Sequence, residues 1–513
     1  MKKLFRLIFG RSTVAIILMV LQVGIMLFGY QYLKYDMDSI LWFFNLLSMI
    51  MIIYIINRKN DNPSFKLVWL LLITVFNLFG VFMYIFIQSQ YSTKMLAVKI
   101  DNLIKKTKGL LKQNHHITEK LSEESRNITN FAHYMYGPAG GFPVYSNSSV
   151  KYFPLGDDKF EEMIVQLEQA KEFIFLEYFI VEEGRMWNTI LDILKRKAQE
   201  GVEVRFMYDG MCSIVLLPYN YPKKMEKYGI KCKMFNPIKP VLSTQQNNRD
   251  HRKILVIDGK TAFTGGVNLA DEYINEKEVY GHWKDNAIMV KGEAVKSFTA
   301  MFLQMWNVSE IDEEEFGKYI DIDYSEFKDV DDGYIIPYGD SPLDEENVGE
   351  QVYMDIINRA ERYVHIMTPY LILDNEMLTT FKYAAKRGVE VKIIMPHIPD
   401  KEFAYAVART YYPELIEAGV EIYEYTPGFV HAKTFISDDD TAVVGTINLD
   451  FRSLYLHFEC AAYMFRNSEI ANIEKDYQET LKKCQKIDME NCRNQKTRRK
   501  ILGRILRLIA PLM

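Results

Sequence analysis

Two short stretches decide how this chain reads. The first is His251-Arg-Lys253-Ile-Leu-Val-Ile-Asp258, followed by Gly265-Gly-Val-Asn268. The second is His431-Ala-Lys433-Thr-Phe-Ile-Ser-Asp438, followed by Gly445-Thr-Ile-Asn448. Both fit one spacing: His-x-Lys, four residues, Asp, six residues, Gly-x-x-Asn. One copy would be a weak motif, but two complete copies at corresponding places are not accidental. In an extended segment residues i and i+2 share a face, so each histidine projects with its lysine. Ile254, Leu255, Val256 and Ile257 continue as a buried strand. The glycine allows close backbone approach, and Asn268 or Asn448 returns an amide to the same edge.

Working outward, the chain repeats itself on a larger scale. Ala170-Lys-Glu-Phe-Ile-Phe-Leu-Glu-Tyr-Phe-Ile180 has the shape of Ala360-Glu-Arg-Tyr-Val-His-Ile-Met-Thr-Pro-Tyr370. Lys197-Ala-Gln-Glu-Gly-Val-Glu-Val-Arg-Phe-Met207 matches Ala384-Ala-Lys-Arg-Gly-Val-Glu-Val-Lys-Ile-Ile394. Each of this second pair reads as a helix end stopped by glycine (Gly201, Gly388), then a β-branched strand. Tyr228-Gly-Ile-Lys-Cys-Lys-Met-Phe and Ala418-Gly-Val-Glu-Ile-Tyr-Glu-Tyr form a third pair in the same order. Helices alternating with apolar strands imply an α/β fold, its sheets covered by helices.

The chemistry follows from the groups supplied. Each half offers one imidazole, one ammonium and one amide, a set that suits a phosphate diester. Facing halves would place a histidine on each side of phosphorus. One neutral imidazole can attack and expel the first alcohol while the other, as imidazolium, protonates it. The lysines and asparagines would hold the non-bridging oxygens. Such a site needs no metal and no cofactor.

The whole-chain averages look soluble: 513 residues, 49% hydrophobic, 25% charged, net charge -5. That charge gives no drive toward nucleic acid. The arrangement differs from the averages. No charged residue occurs from Ser12 to Leu33, Ser39 to Asn57, or Leu67 to Thr93, and each run approaches or exceeds the ~20 residues that cross a bilayer. Two or three transmembrane helices are expected; the basic flanks do not decide the number or the side of the membrane. The five cysteines, Cys212, Cys232, Cys460, Cys484 and Cys492, lack zinc spacing and read as free thiols. The acidic run from Glu310 to Asp332 reads as a solvated connector. At the C-terminus Ile501, Ile505, Leu508, Ile509 and Leu512 approximate a helical stripe among basic residues, suited to an anionic membrane surface or to packing on the body.

The paired motifs resemble those of the phospholipase D superfamily, and more narrowly the bacterial cardiolipin synthases. The likeness extends over nearly the whole chain, through Pro143-Val-Tyr145, Leu176-Glu-Tyr178, Asn248-Arg-Asp-His251, Phe263-Thr-Gly-Gly266, Thr368-Pro-Tyr370 and Gly445-Thr-Ile-Asn-Leu-Asp-Phe-Arg-Ser453. It implies a pseudo-twofold bilobal α/β/α/β/α fold, anchored in the cell membrane as a multi-pass protein. The expected divisions are a membrane segment at 1–92, a connector at 93–135, phospholipase D-like halves at 136–335 and 336–487, and a basic amphipathic helix at 488–513. The implied reaction converts two phosphatidylglycerols to cardiolipin and glycerol, with hydrolysis or another head group as the alternative. Carried over by position, His251, Lys253, Asp258, His431, Lys433 and Asp438 are the catalytic set. His251 is the nucleophile and His431 the acid/base, while Asp258 and Asp438 are better suited to ordering the motif loops. Asn268 and Asn448 join the lysines on phosphate. Glu459 and Asp285 fill the family's place for a carboxylate behind each histidine. Two residues depart from the family's pattern: His457 stands where asparagine is common, and Ala287, after Trp283-Lys-Asp285, where the family often has histidine. The oligomeric state is not legible.

Overall fold

The computed structural model describes residues 24, 37–59, 62–88, 91–238, 244–310 and 314–512. The apolar run from Ser12 to Leu33 lies outside the described residues, apart from Gly24. The described residues divide into two units, one comprising Met1–Met95, Ile238–Asn247 and Leu508–Met513, the other the rest.

In the first unit, α1 (Met37–Ile56) and α2 (Pro63–Gln88) pack on each other around Ile55, Ile73, Val81 and Tyr84. At 26 residues α2 measures roughly 39 Å, more than the ~30 Å hydrocarbon core. Its apolar side chains Leu67, Val75 and Phe82 are exposed, as expected of a lipid-facing helix. Among the described residues one helix, running from Pro63, is long and apolar enough to cross a membrane; the apolar part of α1, Trp42–Ile56, is shorter. Of the two or three spans read from the sequence, one among the described residues meets the length criterion, and the first run lies outside those residues. Asn77 breaks the helical geometry of α2 and is held by Ser48 and Asn45 across the hairpin.

The second unit begins within α3 (Tyr91–Leu110) and contains two similar sheets. Strands of the first half are β1 (Ser148–Phe153), β2 (Phe173–Tyr178), β3 (Glu203–Asp209), β4 (Lys231–Phe235), β5 (Arg249–Asp250), β6 (Ile254–Ile257), β7 (Thr261–Gly265), β8 (His282–Lys284) and β9 (Ala287–Gly292). Those of the second are β10 (Tyr334–Asp340), β11 (Tyr363–Met367), β12 (Glu390–Pro396), β13 (Glu421–Tyr425), β14 (Gly428–Val430), β15 (Thr434–Ser437), β16 (Thr441–Gly445), β17 (His457–Phe465) and β18 (Cys484–Ile487). The first sheet runs β1-β9-β7-β6-β2-β3-β4; the second runs β10-β17-β16-β15-β11-β12-β13, with β18 added at its edge. Strand for strand the order is the same, so the internal repeat is a structural duplication. In both, the three strands beginning at β2 or β11 are parallel and the others antiparallel.

The repeat's local signals act as read. Gly201 and Gly388 have φ of 95° and 96°, the left-handed geometry that ends a helix ahead of β3 and β12. The helices α4 (Gly156–Glu168) and α5 (Val348–Arg359) precede β2 and β11. The acidic connector is less solvated than its charge suggested. Glu314 pairs with buried Arg205 at 2.5 Å, and Lys99 donates to the Glu310 carbonyl at 2.5 Å. Burial of the guanidinium makes a carboxylate partner obligatory there.

All five cysteines are free. Further along, α6 (Glu402–Ala408) receives α8 (Thr497–Arg507), whose Gly503 lies against the Ala406 carbonyl so closely that no side chain fits. The intervening α7 (Phe451–Tyr455) leads into β17. The C-terminal helix thus docks by one face, while Ile501 and Ile505 stay exposed.

Candidate active site

Two small pairings between the halves build the site. The short β5, which ends one residue before His251, pairs in parallel with the start of β17, placing Arg249 opposite His457. Likewise β14, which ends one residue before His431, pairs in parallel with β8. Each motif histidine is therefore fixed by a strand of the opposite half: His251 N–H donates to the Phe458 carbonyl at 2.9 Å, and His431 N–H to the Lys284 carbonyl at 2.7 Å. The residue following each of those carbonyls is a carboxylate.

The consequence is a crossed pair of imidazole–carboxylate contacts. His251 Nδ1 lies 2.9 Å from both oxygens of Glu459, and His431 Nδ1 lies 2.6 Å from Asp285 Oδ2. Both rings are buried, at 7% and 8% exposure, and both carboxylates are fully buried. With Nδ1 occupied, Nε2 is the atom of each imidazole left to meet a ligand. Aromatic rings wall them in: Phe179 stands edge-on to His251 with centroids 4.9 Å apart, and Tyr273 edge-on to His431 at 5.4 Å.

The lysines fold back on their own motifs. Lys253 Nζ donates to the His251 carbonyl at 2.6 Å, and Lys433 Nζ donates to the His431 carbonyl. Each ammonium retains further N–H donors. Asn268 accepts from the Ile180 N–H at 3.0 Å, and its buried Nδ2, beside the Tyr273 hydroxyl, makes no hydrogen bond of normal geometry. Asn448 donates to Ser453 Oγ at 3.0 Å and leaves its Oδ1 unpaired. The unsatisfied Asn268 Nδ2 is a donor free for an anionic ligand, whereas on Asn448 the second Nδ2 N–H, and not the unpaired Oδ1, could serve one.

Burial sets the protonation states. It pushes His251 well below the usual imidazole range, with Lys253 and His457 adding to the effect. Burial and Lys433 bring His431 down to about 4, against the opposing pull of Asp285. Burial also lowers Lys253 to about 8 and Lys433 to about 7. The two carboxylates differ. Burial carries Glu459 up to about 8, opposed by Lys253 and the Thr446 hydroxyl. For Asp285 burial is outweighed by His431 and Lys433, so it stays below the ordinary carboxylate value. A phosphodiester anion entering here would offset the two lysines and raise both imidazoles.

Asp258 and Asp438 lie elsewhere. Asp258 accepts the backbone N–H groups of Lys171, Glu172 and Phe173; Asp438 accepts those of Glu361, Arg362 and Tyr363. Each thus ties the far end of its motif strand to the turn between α4 and β2 or between α5 and β11. The motif's extended chain separates them from the histidines by roughly 20 Å, which fits the loop-ordering reading rather than a place among the reacting groups.

Several participants had no strong sequence signal. Thr446 donates to Glu459 Oε2, whereas its counterpart Gly266 is bare. A Cβ at Gly266 would lie 2.0 Å from Asp285 Oδ1. The difference between Gly-Gly-Val-Asn and Gly-Thr-Ile-Asn carried that information. Buried Lys159, donating to the Val267 carbonyl at 3.1 Å and lowered to about 7 by burial, had no motif at all.

Residues 163–306 and 353–481 match the family model described as Cardiolipin synthase, PLD-like domain. The chain belongs to that family. Residues 46–88 match the model described as Phospholipase_D-nuclease N-terminal. A cardiolipin synthase of Alkalihalophilus pseudofirmus is 34% identical over 472 residues, covering 91% of this chain and 92% of that protein. A Streptococcus mutans serotype c protein of no assigned function is 52% identical over 462 residues, covering 90% of this chain and 99% of its own length. In fold, the chain resembles phosphatidylserine synthase from Haemophilus influenzae Rd KW20, with a TM-score of 0.54 at 14% identity over 71% of this chain and 95% of that one. Membership in the cardiolipin synthase family makes this chain a phosphatidyltransferase, with two phospholipase D-like halves.

Proposed function

We propose that this enzyme transfers a phosphatidyl group from one phosphatidylglycerol to another, releasing glycerol and forming cardiolipin. The observation that carries the reading is the crossed pairing of His251 with Glu459 and His431 with Asp285. Two equivalent imidazoles, each oriented through Nδ1, suit a two-step exchange at one phosphorus.

In the first step His251 Nε2 forms a bond to phosphorus and the bond to the glycerol oxygen breaks. The Nε2 proton of His431 goes to that oxygen, and glycerol leaves. In the second step the primary hydroxyl of a second phosphatidylglycerol attacks phosphorus, its proton returns to His431, and the phosphorus–nitrogen bond breaks. Lys253, Lys433, Asn268 and Asn448 hold the non-bridging oxygens. The depressed pKa of Asp285 favours His431 as the imidazolium, since an ionised carboxylate supports it. His251, lowered furthest from the imidazole range, then serves as the neutral nucleophile.

We also assign α2 to a membrane span, and the exposed Ile501 and Ile505 of α8 to contact with an anionic lipid surface. The test is a product assay: the full chain given phosphatidylglycerol vesicles should yield cardiolipin and glycerol in equal amounts. Phosphatidic acid without cardiolipin would replace the synthase reading with hydrolysis.

A further inference from the structure

Transfer between two phosphatidylglycerols presents the enzyme with two phosphate anions. The histidine pair and its lysines account for the donor's phosphate. The acceptor's own phosphodiester does not react, yet it must stay close while its head-group hydroxyl attacks.

One flank of the site contains polar groups that the chemistry above leaves unused. His457, 8% exposed, has both ring nitrogens buried and without a hydrogen bond among the described residues. Its ring centroid is 5.5 Å from that of His251, and its Nδ1 stays 3.8 Å from Glu459 Oε1, beyond hydrogen-bond reach. Arg452, on α7, is half-buried, and its guanidinium has neither a hydrogen bond nor an ion pair among the described residues. Arg249 faces His457 across the β5–β17 pairing and is already engaged, with Asp209 at 3.4 Å and the Asn236 carbonyl at 2.7 Å. Lys401 is engaged too, with Asp400 at 3.9 Å and the Tyr370 hydroxyl at 3.2 Å, and contributes only its charge.

A half-buried guanidinium with no carboxylate is costly unless an anion arrives. The protonation behaviour agrees. Burial lowers Arg452, with only partial relief from Asp450 and a further push down from Arg249. Burial depresses His457 as well, and the charges of Arg452, Lys253, Lys401 and Arg249 add to it. This cationic field also argues against a metal ion, although His251, His457 and Glu459 lie close enough together to offer three ligand atoms.

We infer that Arg452 and His457 form a second oxyanion subsite, which holds the phosphodiester of the acceptor phosphatidylglycerol beside His251. The inference rests on the proposed transfer between two phosphatidylglycerols and adds how the second one is recognised. A guanidinium fork suits two phosphate oxygens, and the buried imidazole supplies a further donor. Water and free glycerol, which carry no phosphate, would gain nothing from this subsite. The shared chemistry is a phosphate oxyanion, whether from lipid or from a soluble phosphate ester.

The test compares two acceptors in one preparation of the full chain in phosphatidylglycerol vesicles. Cardiolipin formation uses the anionic acceptor. Incorporation of labelled glycerol into phosphatidylglycerol uses a neutral acceptor at the same donor site. In Arg452→Gln the ratio of cardiolipin formation to glycerol incorporation should fall roughly tenfold or more, the loss expected for one charge-assisted hydrogen bond. Arg452→Lys should recover part of that ratio, and His457→Ala should lower it in the same direction. Glycerol 3-phosphate as a soluble acceptor separates phosphate from lipid: wild type should prefer it to glycerol, and Arg452→Gln should lose the preference. An unchanged ratio in Arg452→Gln, or no preference for glycerol 3-phosphate in wild type, overturns the subsite. Absence of cardiolipin from wild type would instead overturn the proposed reaction.

Discussion

Replacing Asp285 by Asn is the sharpest test of how the two halves cooperate. Asp285 belongs to the first half, but its Oδ2 lies 2.6 Å from Nδ1 of His431 in the second. It is fully buried and ionised more readily than an ordinary carboxylate, because His431 and Lys433 outweigh its burial. The amide is nearly isosteric, so packing against Gly266 is retained while the charge is removed. At an effective dielectric of about 20 and a separation of about 4 Å, that charge stabilises an imidazolium by about 4 kcal/mol, or roughly a thousandfold. Loss of the tautomer preference acts in the same direction, and a comparable His–Asp pair loses about 10⁴ in kcat on the same change. Asp285→Asn should therefore lower kcat by about 10³ to 10⁴. Asp285 also helps to keep Lys433 and Lys253 charged, so KM for phosphatidylglycerol should rise as well, by less than kcat falls. Initial rates of cardiolipin formation from labelled phosphatidylglycerol vesicles give both parameters. A fall of less than about tenfold, or an effect confined to KM, would refute the argument that Asp285 supports the proton on His431.

Four other outcomes are expected. Gly266→Ala places a methyl 2.0 Å from Asp285 Oδ1, so kcat should drop by about a hundredfold or more, while Gly266 variants that left kcat intact would show the close approach to be unimportant. With labelled substrate, protein lacking the His431 side chain should retain label and protein lacking that of His251 should not; the reverse pattern would exchange their roles. Lys433 and Lys253 are lowered by burial to about 7 and 8, so their charge is present below those values and lost above them. KM should accordingly rise as pH passes about 8, and Lys433→Arg should move that rise to higher pH; a KM flat to pH 10 would contradict it. Asp258→Ala removes the acceptor of three backbone N–H groups, which should cost about 1–3 kcal/mol in stability by denaturant titration. Its turnover per folded molecule should hold within about twofold, whereas a catalytic collapse would restore Asp258 to the reacting set.

The repeat, the α/β class and the family were legible in the sequence because each depends on local pattern. Glycine stops, β-branched strands and motif spacing are properties of neighbouring residues, and Gly201 and Gly388 adopt the backbone that their positions required. The histidines and lysines could be named for the same reason. Asp258 and Asp438 belong to the motif by spacing alone. The chain between each of them and its histidine is extended, so membership in the motif placed them at the opposite end of the strand from the chemistry.

Sequence by itself determined which groups the enzyme owns: two imidazoles, two ammonium groups, two amides and the halves that present them. Only the tertiary structure decided how they are shared. Each histidine takes its carboxylate from the other half, because β5 pairs with β17 and β14 with β8. Glu459 follows His251 by more than 200 residues and Asp285 precedes His431 by more than 140, so no local pattern could pair them. The unpartnered state of His457 and Arg452 is likewise invisible in sequence. Whether a polar group is satisfied depends on what surrounds it in space, and burial is what gives an unsatisfied one its meaning.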